Sequence, residues 1–384
     1  MYNSDGRIRG RPCLPFWRSL LRLTALKLKN FRSYGNITLT PPSGITVIAG
    51  ENGAGKTNLL EAVHLCCLGR SHRTNDDADM IMSGAETAAV QLTVERRDGR
   101  HDTGVRLFHA QRRKKICYVN GKTAQRIGDL MGHATCVIFS PEDLGLVQDG
   151  PNVRRRYLDM LLSQLQPAYF FTLQQYTTAL RQRNALLKQP ESPQLSAQLD
   201  VWDEQLAQTA APLTRLRAQM SERLSAMAAT HYRASSGRDE EALRIRYMTQ
   251  LTEADLSQQM LRLLQARRHD DFRRLSTSVG PHRDDLLLTL SGESLQSYAS
   301  QGQSRTAALS MKLAAFDLLT EEQGEPPLLL LDDVLSELDP LRRRRLIDRI
   351  RGAQALLTCT DRGDFIGAEP ACVLEARDGT IVTA

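Results

Sequence analysis

The sequence lacks the residue spacings that disulfide or metal scaffolds need. Its seven cysteines are an odd number without a C-x-x-C pair, which argues against a disulfide framework or a zinc site. Several of them lie in apolar runs, so we expect buried thiols in a reducing compartment, the cytoplasm. The eight histidines show no metal-ligand spacing, and no Ser/His/Asp or Cys/His arrangement indicates a covalent nucleophile.

Long apolar runs are missing as well. No stretch of about 18 uninterrupted apolar residues occurs, which predicts that no segment spans a membrane. Residues 1–22 contain several arginines but neither the apolar run nor the cleavage site of a signal peptide, so we expect a disordered or mis-started extension there. The charge balance is only mildly basic, with 50 Lys and Arg against 44 Asp and Glu. It permits a nucleic-acid partner without requiring one.

What is present begins with the stretch GENGAGKT, which follows an apolar β-branched strand and precedes a helix. This context predicts a P-loop, in which backbone N–H groups and the helix N-terminus surround phosphate oxygens. Lys56 is expected to reach the β- and γ-phosphates of a nucleotide, and the Thr57 hydroxyl to bind Mg²⁺. The predicted nucleotide-binding residues of the loop are Gly50, Glu51, Asn52, Gly53, Ala54, Gly55, Lys56, Thr57 and Asn58.

A second motif lies near the other end of the chain, where four leucines precede Asp332 and Asp333. The spacing predicts a buried parallel strand that ends in two carboxylates, the Walker B pattern of P-loop NTPases. We expect Asp332 to hold Mg²⁺ with Thr57. Asp333 is the candidate base, and together with Lys56 it forms the predicted catalytic pair. Because Asp333 is one methylene shorter than glutamate, slow hydrolysis is expected.

The segments between the motifs differ in their predicted secondary structure. Residues 23–150 and 270–384 contain strand patterns, whereas 151–269 contains almost none. Apolar residues spaced by three and four predict an antiparallel helical hairpin in this insertion, with Pro212 as the kink of its second helix. We therefore predict an α/β head with mixed sheets, assembled from 23–150 and 270–384, and an inserted all-helical arm at 151–269.

Ser300-Gln301-Gly302-Gln303 lies at the start of a predicted helix and resembles the signature motif of ABC ATPases. Downstream, Ser336 to Asp339 is similar to the D-loop of the same family. In that family the signature binds the γ-phosphate of ATP held by the other subunit. The resemblance therefore implies that Ser300, Gly302 and Gln303 contact nucleotide on a second copy.

The strand at Leu26–Tyr34, the P-loop, the signature and the Walker B segment together resemble the SMC/RecF branch of ABC ATPases. Ser71–Thr74, Ser140–Leu144, Gly150–Asp159 and Gly280–Asp285 are similar to bacterial RecF, over a match that runs from about Leu23 to the C-terminus. This sequence differs from the family pattern at Gln301, where transporters have glycine, and at Thr360, where ABC proteins usually have histidine.

The resemblance implies an ABC-type head, the cofactors ATP and Mg²⁺, and weak ATPase activity that drives homodimerisation on single- or double-stranded DNA. It also implies partnership with RecO and RecR in RecA loading at replication gaps, and a role in SOS induction. An SMC-like or transporter-type ATPase subunit is the alternative. A transporter subunit would have its signature much closer to the P-loop, whereas Ser300 follows Lys56 by 244 residues.

DNA contacts are expected at clusters of basic residues, because phosphate contacts give salt-sensitive affinity. A solvated surface is the alternative for each cluster, and the cluster Arg154–Arg156 could instead brace the arm against the head. The candidate DNA-binding residues are Arg112, Arg113, Lys114, Arg154 and Arg155.

Overall fold

The structure is a computed structural model that describes residues 21–109, 115–190, 192–238, 240–360, 369–377 and 379–383. Arg112, Arg113 and Lys114 lie outside the described residues. Leu21 is buried and the first strand begins at Arg22. The last two residues of the predicted N-terminal extension therefore belong to the fold, because an apolar side chain at that point packs into the core.

An antiparallel sheet, two of whose strands precede the P-loop in the chain, packs against the P-loop helix. Its strands follow the order β2-β1-β4-β5-β6-β7. Their bounds are β1 (Arg22–Phe31), β2 (Tyr34–Leu39), β4 (Thr87–Arg96), β5 (Gly99–Phe108), β6 (Lys115–Val119) and β7 (Lys122–Thr123). In β1, Leu26 and Leu28 face the core while Lys27 and Lys29 face outward. Asn120 and Gly121 have φ values of 50° and 76° and form a tight turn between β6 and β7.

The central sheet carries both nucleotide motifs. Its order is β15-β14-β3-β13-β12-β8, and all of its paired strands are parallel except β14 with β15. The strands are β3 (Ile45–Ala49), β8 (Cys136–Phe139), β12 (Leu328–Asp332), β13 (Ala355–Cys359), β14 (Cys372–Arg377) and β15 (Thr380–Thr383). Strands β3, β13 and β12 are neighbours and run parallel. The P-loop after β3 and the Walker B carboxylates at the end of β12 therefore lie at the same edge of the sheet.

The helices cover both faces of the central sheet. They are α1 (Lys56–Leu68), α2 (Gly145–Gln148), α3 (Pro151–Leu165), α4 (Pro167–Leu186), α5 (Pro193–Ser236), α6 (Leu256–Ala266), α7 (Arg268–Arg274), α8 (Leu295–Tyr298), α9 (Gln301–Gln323) and α10 (Pro340–Ile350). Short 3₁₀ turns lie at Asp77–Met80, Ile127–Leu130, Pro141–Leu144 and Leu335–Glu337. The pair α4 and α5 is the predicted helical hairpin, and α5 has 44 residues with Pro212 inside it. At 1.5 Å per residue α5 is roughly 66 Å long.

The arm is not wholly helical, and this corrects the prediction for residues 151–269. Strand β9 (Leu243–Met248) lies within it and pairs with β10 (Asp285–Leu290), which also pairs with β11 (Glu293–Ser294). The reason is local: Leu243 and Ile245 are buried, while Arg244 and Arg246 between and after them are exposed, which is the period of a strand. The pairing of β9 with β10 crosses the predicted boundary at residue 269.

Two apolar cores lie on opposite faces of the central sheet. One contains the inner face of the antiparallel sheet, α1, and alternate residues of the central strands such as Ile48 and Leu330. The other contains Val47 and Leu331 from the opposite face, with helices α3, α4, α5 and α9. Burial on both faces explains why the central strands are continuous apolar runs. Among the described helices, none combines the length and apolar character that a membrane crossing requires.

Candidate nucleotide-binding site

The P-loop connects the end of β3 to the first residue of α1, and at Gly50 and Gly55 there is no room for a side chain. Gly50 and Gly55 have φ values of 153° and 99°, in the region that disfavours other residues. A Cβ on Gly50 would lie 2.6 Å from the Ala376 carbonyl oxygen, and one on Gly55 would lie 2.6 Å from the Ser33 hydroxyl. The backbone therefore turns tightly at the N-terminus of α1, where free N–H groups and the helix dipole favour a phosphate.

Lys56 is held inside this loop. Its side chain is buried, and Nζ donates hydrogen bonds to the carbonyl oxygens of Gly50 at 2.6 Å and Glu51 at 3.0 Å. The Tyr34 hydroxyl donates to the Gly55 carbonyl at 3.1 Å from below the loop, and burial raises the pKa of that phenol. The ammonium group therefore lies within the loop that would surround the phosphates.

Thr57 and Asp332, the two predicted Mg²⁺ ligands, meet although 275 positions separate them. The Thr57 Oγ1 donates to Asp332 Oδ1 at 2.8 Å. Hydroxyl and carboxylate oxygens are suitable Mg²⁺ ligands, and this ion commonly takes its remaining ligands from nucleotide phosphates and water. The described residues contain no group of three or more His, Cys, Asp or Glu that could hold a metal alone. The pair therefore fits a magnesium ion that arrives with nucleotide.

The electrostatics of Asp332 support the same role. Burial raises the pKa of this carboxyl group, and the nearby charge of Glu142 raises it further, while the hydrogen bonds from Thr57 and Thr358 act in the opposite direction. A buried carboxylate whose charge is incompletely compensated is a favourable site for a cation. Sequence reasoning did not identify Glu142, which follows β8, the neighbour of β12.

Thr358 is a second residue that the sequence did not reveal. Its hydroxyl donates to Asp332 Oδ1 at 2.9 Å and accepts the backbone N–H of Asp333, also at 2.9 Å. It lies in β13, between the two motif strands, and is 1% exposed. Two residues later, the Thr360 hydroxyl lies 3.3 Å from Oδ1 of Asn52 in the P-loop. Strand β13 and the residue that follows it therefore join the two motifs through hydroxyl groups.

Asp333, the predicted base, has an unusual backbone conformation. Its φ of 52° is in the left-handed region, which is costly for a residue with a side chain and is concentrated at functional sites. Ser336 donates to the Asp333 carbonyl at 2.7 Å and contacts its carboxylate at 3.2 Å. The side chain is partly exposed, so it remains accessible at the end of β12.

The loop after α1 is hydrogen-bonded to this helix through the buried carboxylate of Glu61. Glu61 is fully buried and receives the Arg32 guanidinium at 2.8 and 2.9 Å and the Ser71 hydroxyl at 2.5 Å. Arg73, from the same loop, donates to Asn58 Oδ1 at 3.1 Å. The Ser71–Thr74 segment therefore lies against the first turn of α1.

The signature segment begins α9 with a reciprocal cap. The Ser300 hydroxyl accepts from the Gln303 N–H at 3.2 Å, and the Gln303 side chain accepts from the Ser300 N–H at 2.9 Å. Gln303 also donates to Glu241 at 3.0 Å, and the space around Gly302 is open. Within the described residues, no hydrogen bond or ion pair joins Ser300–Gln303 to Gly50–Asn58. The two predicted halves of the site are not linked within one chain.

The basic residues at the start of α3 brace the fold. Arg154 is 4% exposed and binds both carboxylate oxygens of Asp285 at 2.8 Å, so its predicted role in DNA binding is wrong. A guanidinium paired in this way is not available to phosphate. Arg155 is partly exposed and donates to the Asp284 carbonyl. Arg156 donates to the Ser71 carbonyl at 2.9 Å.

The fold and the arrangement of the P-loop, Walker B and signature segments define an ABC-type ATPase head. Residues 22–380 match the family model of the RecF/RecN/SMC N-terminal domain. The chain is 43% identical over 371 residues to the DNA replication and repair protein RecF of Symbiobacterium thermophilum, covering 94% of this chain and 98% of that protein. It belongs to the RecF family.

Solved structures agree with this assignment. A structure of the recombination mediator protein RecF with ATP in the RecFOR pathway superimposes with a TM-score of 0.88 at 33% identity, covering 96% of this chain and 98% of that chain. A Pyrococcus furiosus Smc head domain with an extended coiled coil has a TM-score of 0.56 at 16% identity, covering 95% and 96% of the two chains, and shares the fold.

Proposed function

We propose that this chain is an ATP-dependent DNA-binding protein of recombinational repair and replication-gap processing. One observation carries the proposal: Thr57 and Asp332 meet at 2.8 Å, at the edge of the sheet where the P-loop ends. A hydroxyl, a buried carboxylate and a phosphate-binding loop together form a site for a nucleotide with its magnesium ion. The names of the relatives, DNA replication and repair protein RecF, supply the context in which such a site would act.

Lys56 and the P-loop backbone would bind the phosphates, and Thr57 and Asp332 would hold Mg²⁺. The ion would neutralise charge on the phosphate oxygens. Asp333 would orient the attacking water and accept its proton. Because the Asp333 side chain is short and its carboxylate contacts Ser336, we expect slow hydrolysis that acts as a switch.

ATP would also join two copies of the chain. Ser300 and Gly302 begin a capped helix whose N-terminus is suited to an anion, yet within the described part of the chain no hydrogen bond or ion pair joins them to the P-loop. In the proposed dimer each signature closes on the nucleotide of the partner, and the paired heads clamp DNA at gap regions. Hydrolysis would release the clamp.

Cooperation with RecO and RecR, promotion of RecA loading and a link to SOS induction complete the proposal. These roles follow from the family and from the RecFOR pathway named for the related structure. The cytoplasmic location stays a prediction.

The test is DNA binding and sedimentation with ATP, with ADP and without nucleotide. The wild type should dimerise and bind DNA more tightly only with ATP, whereas Lys56→Ala should do neither. Lys188→Ala, which removes an exposed lysine beyond α4, is the matched control and should behave as the wild type. If association and DNA affinity are the same in all nucleotide states, the clamp is wrong.

A further inference from the structure

The outer face of the antiparallel sheet carries cations in register. Lys29 is opposite Ala89, which is opposite Arg106, so the two cations lie in one row on either side of a small residue. Lys27 begins the next row, two residues along β1. All three cations are exposed, while the leucines that alternate with them face the core. The face therefore displays positive charge without contributing to the core.

A cavity of about 380 Å³ lies on this face. Its floor is the row Lys27, Gln91, Gly104 and Tyr118, which are opposite one another on four neighbouring strands. Gly104 lines the cavity without a side chain, and a Cβ there would lie 3.2 Å from the Val90 carbonyl oxygen. A glycine inside a strand often marks a place where a ligand approaches the backbone closely.

The charge of the cavity is positive. Lys27, Lys29 and Arg106 line it, and the one carboxylate in its lining, Asp102, is 3.2 Å from Arg100. Among the described residues, neither Lys29 nor Arg106 forms an ion pair with an acidic side chain. A face with unpaired cations is complementary to a polyanion.

Tyr118 gives the face an aromatic ring beside the glycine. Its side chain is partly exposed, and it is in direct register with Gly104. Several sheet-based domains bind single-stranded nucleic acid with this combination, because the ring stacks on a base while the cations contact phosphates. A cavity of this size accommodates a small group such as a base rather than a duplex.

We propose that this sheet face binds a stretch of single-stranded DNA. Its phosphates would contact Lys27, Lys29 and Arg106, and one base would lie over Gly104 against Tyr118. The inference rests on the proposed DNA-binding function and assigns a surface to it.

The first experiment neutralises the charge. In the presence of ATP, binding of a labelled oligothymidine is measured by fluorescence anisotropy for wild type and for Lys27→Gln/Lys29→Gln/Arg106→Gln. Affinity should fall about tenfold or more, and the slope of log K against log salt should shrink by about 2, since each neutralised phosphate contributes about 0.7 for a single strand. Arg244→Gln/Arg246→Gln, which removes two exposed cations from strand β9, is the control for a general loss of positive charge.

The second experiment measures the contribution of the Tyr118 ring to single-strand binding. Tyr118→Leu should lower affinity for the oligothymidine roughly tenfold, whereas Tyr118→Phe should retain it, because stacking needs the ring and not the hydroxyl. Circular dichroism and ATP-dependent sedimentation of each variant would establish that the fold and the dimer persist.

The outcomes distinguish an error in the proposed binding surface from an error in the proposed DNA-binding function. If the wild type binds DNA with ATP but the triple variant binds equally well, or loses no more affinity than the control pair, the surface is wrong and the proposed function stands. If the variants lose more affinity for a blunt duplex than for the single strand, single-strand binding on this face is wrong. If the wild type binds no DNA, the proposed function itself fails.

Discussion

At the scale of single residues, a hydroxyl between the two motifs organises the site. Thr358 donates to Asp332 and accepts from the Asp333 N–H, so one side chain fixes both carboxylate positions. An isosteric change from threonine to valine removes these bonds and leaves the shape nearly unchanged. This makes the contribution of Thr358 measurable.

We predict that Thr358→Val lowers the free energy of unfolding by about 1–3 kcal/mol, because a buried carboxylate and a backbone N–H lose a partner. Affinity for Mg²⁺-ATP should fall as well. Thr46→Val is the matched control: Thr46 is fully buried in the adjacent strand β3, and its hydroxyl has no hydrogen-bond partner among the described residues. Denaturant unfolding should show that Thr46→Val is neutral or stabilising. Equal losses in both variants would contradict the role of Thr358.

Asp332→Asn should separate stability from metal binding. Burial raises the pKa of Asp332, so the folded protein holds this proton more tightly than the unfolded chain does. The stability that results is present at low pH and is lost as the pH rises through the pKa of the folded state. Removing the charge should therefore raise the Tm of the nucleotide-free protein at neutral pH, and the difference should vanish in acid. The Asn Oδ1 can still accept from Thr57 and Thr358.

The measurement is thermal unfolding across pH, with and without Mg²⁺-ATP. Added Mg²⁺-ATP should raise the Tm of the wild type more than that of Asp332→Asn. A variant less stable than the wild type at neutral pH would mean that Asp332 is fully compensated without a metal ion.

At the scale of elements, the arm helices are joined by a buried ion cluster. Arg183 of α4 binds Asp203 of α5 at 2.5 Å and Asp271 of α7 at 2.7 Å, and all three side chains are fully buried. It also donates to the Thr277 hydroxyl at 2.9 Å, in the segment that leads to β10. One buried cation therefore joins α4 to both α5 and α7.

We predict that Arg183→Met destabilises the protein by roughly 3–5 kcal/mol, because two buried carboxylates lose their shared partner. Arg181→Met, which alters an exposed arginine on the same helix, should change stability by less than about 0.5 kcal/mol. Denaturant unfolding of both variants gives the comparison. If Arg183→Met is as stable as Arg181→Met, the cluster does not hold the arm together.

At the scale of the whole molecule, the proposed division of the site between two copies has a direct test. Lys56→Ala damages the P-loop half and Ser300→Arg the signature half, so neither homodimer contains an intact site. A mixed dimer contains one. We predict that mixing the two inactive variants restores about a quarter of the wild-type sites, since half of the randomly formed dimers are mixed and each has one intact site of two.

ATP hydrolysis and DNA binding of the mixture, compared with each variant alone, measure this recovery. Mixing Lys56→Ala with itself at doubled concentration controls for concentration. If the mixture is as inactive as its components, the site is not shared between subunits.

The sequence by itself determined the chemistry of each motif and the strands and helices around it. Gly50 to Thr57, Asp332 and Ser300 are each specified by their immediate neighbours, because a turn, a strand end and a helix cap depend on a few adjacent residues. The exposed face of β1 was likewise visible in its alternation, and the strand at Leu243–Met248 could have been found the same way.

Only the tertiary structure decided which of these groups meet. The sheet order brings Thr358 beneath Asp332 and Asp332 beside Thr57. It also buries Arg154 against Asp285, where the sequence suggested an exposed cation. These contacts join positions far apart in the chain, and burial and strand order depend on the packing of the whole core.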